Sequence, residues 1–328
     1  MRLMLAVLVA TQLVRAQPSS VLSQFGLTNQ DIASIDRGRP VAKVLPWGGP
    51  SEMYIFGAVQ VDRSPAVYLR DARDVAHFTS RPGYLAAGEL SETATAADLE
   101  ALSFDADDIT ALRNCREGAC DVQLPADAIR MFQRHVQWSD PDAAGQANRL
   151  ARAMLIDLLN AYRRGGNEAL GAFDDKSRPA LIARQFETMV GRTTALPDVL
   201  PELRDYLLRY PDATLPGAES FFYWEKVSFG LKPTIRLNHA VVYHTSRDGR
   251  DVGVLAIKQI YASHYFHTAL DVSVCVTDDA AGRTPGFYLL TLKSSEQEGL
   301  TGLKGSLLRR IVADRSRSSL EAALAAIR

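Results

Sequence analysis

Five runs of aromatic and β-branched residues follow one another in the last third of this chain. They read FFYWEKVSF, TIRLNHAVVYH, VGVLAIKQIYA, HTALDVSVCV and GFYLLTL, from Phe221 to Leu292. Side chains of this kind suit a pleated, half-buried surface, so each run predicts a strand. Only short turn signals separate them: Gly230 to Pro233, Ser246 to Arg250 around Asp248-Gly249, and DDAAGRTPG. Parallel neighbours need a long crossover, so connections of this length dictate an antiparallel sheet.

The chain then closes with LTGLKGSLLRRIVADRSRSSLEAALAAIR. Leu303, Leu307, Ile311, Leu320, Leu324 and Ile327 give that segment one apolar side, which must pack on something. The sheet beside it in sequence is the expected partner. Upstream, helical spacing recurs over 105–114, 126–136, 145–164, 179–190 and 198–209, with residues 80–104 read as part loop and part helix. Leu155, Leu158, Leu159 and Tyr162 line one side of the strongest of these helices. A short helix capped at Thr28 or Asn29 and two strands, 41–45 and 53–61, come first.

The expected class is α+β: an antiparallel sheet gripped by a long C-terminal helix, with a preceding helical layer. In the order of its elements the last third resembles the START-like, helix-grip arrangement. That resemblance implies a fold and no activity. The expected organisation is a signal peptide over 1–16, an N-terminal helix and hairpin over 17–62, and a mainly helical region over 63–215. Sheet and C-terminal helix follow over 216–328, with 17–328 packing as one unit.

The signal peptide is read from Met1-Arg2, the apolar run Leu3 to Val14, and small residues at Val14 and Ala16 before Gln17-Pro18. The run is too short for a bilayer span, so periplasmic or extracellular export is expected, with no membrane span. Without Arg2 and Arg15 the chain carries 35 basic against 38 acidic residues, a net charge of −3. That balance gives no electrostatic reason to expect nucleic acid as a partner. In an oxidising compartment, Cys115 and Cys120 of NCREGACDVQLP are expected to close a small disulfide loop. Cys275, in the apolar run VSVCV, is expected to be a buried thiol.

Motifs for phosphate cradling, zinc hydrolysis or a serine-hydrolase elbow do not occur, so no cofactor and no metal are expected. Four of the six histidines, His239, His244, His264 and His267, fall among the strands. Side chains alternate faces along a strand, so residues an odd number apart point opposite ways. Neither His239 with His244 nor His264 with His267 can then share a face of a regular strand. His264 to His267 is read as a strand reversal.

Hairpin geometry yields a more specific cluster. A turn at Asp248-Gly249 places His239 opposite Lys258, Val241 opposite Ala256 and His244 opposite Gly253. A turn within Gly230 to Pro233 sets Trp224 beside His239 and Glu225 beside Asn238. Two rows result, Trp224-His239-Lys258 on one face and Glu225-Asn238-Gln259 on the other. A reversal centred near His264-Tyr265 adds Asp271 to the first row, and Tyr243 shares its face.

Aliphatic walls with a few convergent polar groups describe a ligand pocket. The expected function is therefore binding of a small apolar ligand between sheet and helix, through Trp224, His239, Lys258, Asp271 and Tyr243. Two alternatives stand beside it: a structural or interaction protein of the cell envelope, and an enzyme using His239, Lys258 and Asp271.

Overall fold

Alternation of apolar residues carries the strands as expected, and the chain pairs them into one broad sheet. The computed structural model describes Leu22 and residues 25–46, 48–81, 83–193, 200–228, 231–247, 250–278, 286–300 and 302–327. The expected signal peptide and the Asp248-Gly249 turn lie outside the described residues. The strands are β1 Val41–Leu45, β2 Glu52–Val61, β3 Tyr84–Leu90, the short pair β4 Ala172–Phe173 and β5 Ala180–Leu181, and β6 Glu219–Val227. They continue with β7 Thr234–Arg247, β8 Arg250–Ala262, β9 Phe266–Asp278 and β10 Gly286–Gln297. Eight of them form an antiparallel sheet in the order β1-β2-β10-β9-β8-β7-β6-β3.

The helices are α1 Asn29–Ile35, α2 Pro65–Arg73, α3 Ala106–Asn114, α4 Ala126–His135, α5 Ala143–Gly165, α6 Ile182–Arg192, α7 Pro201–Arg209 and α8 Gly302–Ala325. Thr28 caps α1 through a reciprocal pair of bonds with Asp31, as its position before the helix predicts. The sixth helix begins at Ile182 rather than near Pro179, because Ala180 and Leu181 first pair with Phe173 and Ala172.

Residues 84–90 are a correction. They form β3, an edge strand on β6, where a loop or helix was expected. The segment YLAAGEL is rich in small residues and lacks β-branched ones, so its composition hides the strand. Packing requires it: a Cβ at Gly88 would stand 2.6 Å from Trp224 Nε1.

The two faces of the sheet are covered by different elements. One face, bearing Tyr54, Phe56, Val241, Tyr243, Val254, Leu270 and Val272, packs on α6 and α7. Farther along it, Phe222, Trp224 and Leu237 pack on α4 and α5. The other face carries Met53, Ile55, Leu255, Cys275, Phe287 and Leu289 under α2 and α8. Helix α8 lies on β1 and β2, where Leu320 and Leu324 descend onto Gly57. Burying these two leucines contributes about 2 kcal/mol each, and any side chain at Gly57 would lift them. Helix α2 lies on β8 and β9. A strip of the second face, floored by β9 and β10, therefore runs between two helices.

Within β8, a bulge separates Gln259, paired with Asn238, from Tyr261, paired with Leu237. The extra residue, Ile260, resets the alternation so that both Lys258 and Tyr261 face the helical layer. Cys115 and Cys120 are bridged, and Cys275 is buried.

Candidate functional site

The β7–β8 hairpin has the register its turn predicts, with His239 opposite Lys258, Val241 opposite Ala256 and His244 opposite Gly253. The two flanking pairings differ. Phe222 lies opposite His239 and Trp224 opposite Leu237, two residues from the expected register. An even slip keeps Trp224 on the His239 face while removing it from the His239 side chain. Its indole instead donates to the Asp98 carbonyl at 2.8 Å.

Asp271 lies opposite Ile257, and Lys258 lies opposite Leu270. This odd slip puts Asp271 on the opposite face from Lys258, so the expected His239–Lys258–Asp271 cluster does not form. The reversal sets the phase: Tyr265 adopts φ 65°, a left-handed conformation that closes a tight turn between Ser263 and Phe266. His264 of that turn pairs with Asp108 of α3, Nε2 to Oδ1 at 3.0 Å. Tyr243 is buried among the apolar residues under α6 and α7.

His239 and Lys258 are joined through a third residue. Tyr162 of α5 places its hydroxyl 3.0 Å from His239 Nδ1 and 3.2 Å from Lys258 Nζ. Lys258 also donates to Asn167 Oδ1, and the Asn167 amide donates to the carbonyls of Leu207 and Leu208 at 3.0 and 2.9 Å. The rings of Tyr162 and Phe186 flank the lysine nitrogen at 4.5 and 4.3 Å. On its other side, His239 Nε2 meets Ser220 Oγ at 2.7 Å. The imidazole lies against Phe222, 4.6 Å away and nearly parallel, and Tyr210, 4.7 Å away.

Both bases are fully buried. Desolvation is the main cause that lowers the His239 pKa to about 3, and the positive charge of Arg163 works the same way. Desolvation likewise drives the Lys258 ammonium well below its ordinary range. The phenol of Tyr162 is pushed up, again by burial first. This network therefore holds neutral groups.

Chemistry of the opposite kind occupies a polar strip of the second face that crosses from β6 to β10. Arg236 donates to Glu225 Oε1 at 2.8 Å and to Gln259 Oε1 at 3.1 Å. Asp271 pairs with Lys293, whose side chain is 42% exposed, so the strip opens to solvent there. Asn238 is wholly buried beside Glu225, near enough to favour that carboxylate's charged form against the desolvation that raises its pKa. Yet neither Asn238 amide atom nor Glu225 Oε2 has a hydrogen bond of good geometry among the described residues. Glu225, Asn238 and Gln259 share this face, but the expected row does not form: Gln259 lies opposite Asn238, while Tyr223 takes the place beside Asn238 and Glu225 lies opposite Arg236.

Sequence reasoning missed Tyr162, Asn167 and Ser220. A tyrosine on the apolar side of a helix was the available signal, since a buried hydroxyl requires a partner. Elsewhere, a surface groove of about 500 Å³ beside the disulfide is lined by Asp107, Thr110, Asn114, Lys176 and Lys232, apart from both sheet faces. Among the described residues, no three His, Cys, Asp or Glu side chains are grouped to hold a metal ion. No described helix is long and apolar enough to cross a membrane. The chain matches no protein-family model, and no curated protein matches it in sequence.

Proposed function

We propose that this protein is an exported binding protein whose ligand sits on the polar strip of the second sheet face, which crosses from β6 to β10. Export is supported by the apolar N-terminal run and by the Cys115–Cys120 bridge. One observation carries the binding reading. Asn238 is completely buried, and its amide lacks well-formed partners, in a strip of the sheet that reaches solvent at Lys293. Buried polar groups are paired in folded proteins, so an orphaned amide calls for a partner from outside the chain. Around it stand both signs of charge: Glu225 and Asp271, Arg236 and Lys293.

That lining favours a small zwitterion of amino-acid or dipeptide size in place of an apolar ligand. Its carboxylate would meet Lys293 and Arg236, and its ammonium the free oxygen of Glu225. Thermal-shift measurement against free amino acids, dipeptides and a fatty-acid control tests this. A rise in Tm with a zwitterion, abolished in Asn238→Leu, is the expected result. A flat response across the panel, together with an empty native mass spectrum of the protein from its own host, refutes it.

A second reading is favoured by Leu307, Leu308 and Ile311 on α8, which are 65, 42 and 44% exposed. An exposed apolar cluster of this kind is what an interaction protein of the cell envelope would present. Self-association in sedimentation experiments that disappears in Leu307→Glu would support it.

A further inference from the structure

The face opposite the proposed binding strip holds a second arrangement with its own chemistry. Ser220, near the start of β6, is exposed, whereas His239, to which its hydroxyl is bonded, is fully buried. The side chains then continue inward without a break. His239 Nδ1 meets the Tyr162 hydroxyl at 3.0 Å, and that hydroxyl meets Lys258 Nζ at 3.2 Å. Lys258 ends on Asn167, itself anchored to backbone carbonyls at the end of α7. A serine at the surface is thus coupled to an oriented imidazole, and the imidazole to a third group that fixes it. That is the general signature of an activated nucleophile.

We infer that Ser220 is a nucleophile activated by His239, and that the protein turns over small esters through an acyl-serine intermediate. The direction of the hydrogen bonds decides whether this can work. Lys258 donates to Asn167 and to the Tyr162 oxygen. That oxygen has a second lone pair, so it also accepts from Nδ1–H, and Nε2 is left with a lone pair facing the Ser220 hydroxyl. In the other tautomer Tyr162 donates to Nδ1, and Nε2–H donates to Ser220. The Nδ1–H tautomer is the one a general base requires.

In the reaction, Ser220 Oγ bonds to the acyl carbon while its proton passes to His239 Nε2. The bond from acyl carbon to alkoxy oxygen breaks, and the departing alkoxide takes that proton as an alcohol. Water then attacks the acyl-serine, giving its proton to Nε2, and the serine is restored as the acid leaves. Ser220 and His239 are the catalytic residues. Tyr162 and Lys258 are positioning residues, because they act through the imidazole. Arg163 is close enough to disfavour protonation of His239, and its guanidinium lies 4.6 Å from the Phe222 ring stacked on that imidazole.

A fluorophosphonate probe reads the nucleophile without a known substrate, since Ser220 Oγ replaces fluoride on phosphorus and hydrogen fluoride is released. Incubation of the full chain, followed by intact-mass and peptide mass spectrometry, is expected to give one adduct on Ser220. Ser220→Ala, a change at an exposed position, should fold as before and remain unlabelled. Tyr162→Phe should slow labelling on the order of a hundredfold and change the pH profile of the labelling rate, which a purely structural role would leave in place. No adduct on the native wild-type protein, or equal labelling of Ser220→Ala, overturns the inference. So does a pH profile unchanged by Tyr162→Phe.

Discussion

Lysine 258 offers the sharpest test of how this interior is built. Its side chain is wholly buried, and its nitrogen meets Asn167, Tyr162 and two ring faces. Desolvation lowers its pKa well below the ordinary 10.5. In the unfolded chain the same lysine is protonated below that value, so the unfolded state binds one more proton than the folded one. Stability contributed by this residue then rises with pH, by about 1.4 kcal/mol per pH unit for one proton. Between about pH 8 and about pH 10 that amounts to about 3 kcal/mol.

Lys258→Met removes the titrating group while nearly keeping its shape. The variant leaves the Asn167 acceptor unpaired, at a cost of about 1–3 kcal/mol. It also relieves the cost of holding an amine uncharged, which is largest at neutral pH and shrinks as pH rises. Urea unfolding of both proteins across this range gives the comparison, with tyrosines and the amino terminus cancelling between them. The expected result is a wild-type slope steeper by one proton and a variant no less stable near pH 8. Parallel slopes would mean that Lys258 is folded as an ammonium, and the reasoning from its burial would be refuted.

Further expectations concern other groups. His239 stays uncharged down to about pH 3 in the folded chain against 6.5 when unfolded, so acidification through that window withdraws on the order of 5 kcal/mol. Its ring nitrogens should still give neutral-imidazole NMR signals near pH 5, and imidazolium shifts there would refute the burial. Gly88→Val forces a methyl-bearing carbon against the Trp224 indole and should cost about 1–3 kcal/mol in a melting experiment. An unchanged Tm would show that β3 is not seated on β6 as described. Replacing Cys115 and Cys120 by serine opens a loop with a sequence separation of 5, which chain entropy sets at about 2 kcal/mol. Chemical denaturation reads that loss.

Much of the architecture was legible because it depends on local rules. Alternating apolar residues separated by short turns require an antiparallel sheet, and one apolar side on the last helix requires a surface to cover. The β7–β8 register was legible for the same reason: a tight turn leaves little freedom in what pairs with what. The β6–β7 and β8–β9 registers were less so. The number of residues spent in the turn after β6, and the left-handed Tyr265 in the next, are not encoded by hydrophobic pattern. Asp271 shows the consequence, since a single residue decided which face it joined. Tyr162 and Asn167 were invisible as site members because α5 reaches His239 through tertiary packing, from 77 positions away in sequence. Edge strand β3 escaped because its small residues answer to the bulk of Trp224, a constraint that exists only after folding.

The bulge at Ile260 changes what kinds of sequence change this fold can absorb. Loss of a residue within 252–258 of β8 would turn over the side chains beyond it and expose a buried lysine or bury its neighbours' polar ends. Removing Ile260 is different: Gln259 would still pair with Asn238, and Tyr261 with Leu237, each on its present side. The loss would be confined to one buried isoleucine. A length change in the middle of a sheet, ordinarily fatal to its pattern, is at this position neutral in phase. Related chains that differ in length by one residue here would retain the same two chemically distinct faces.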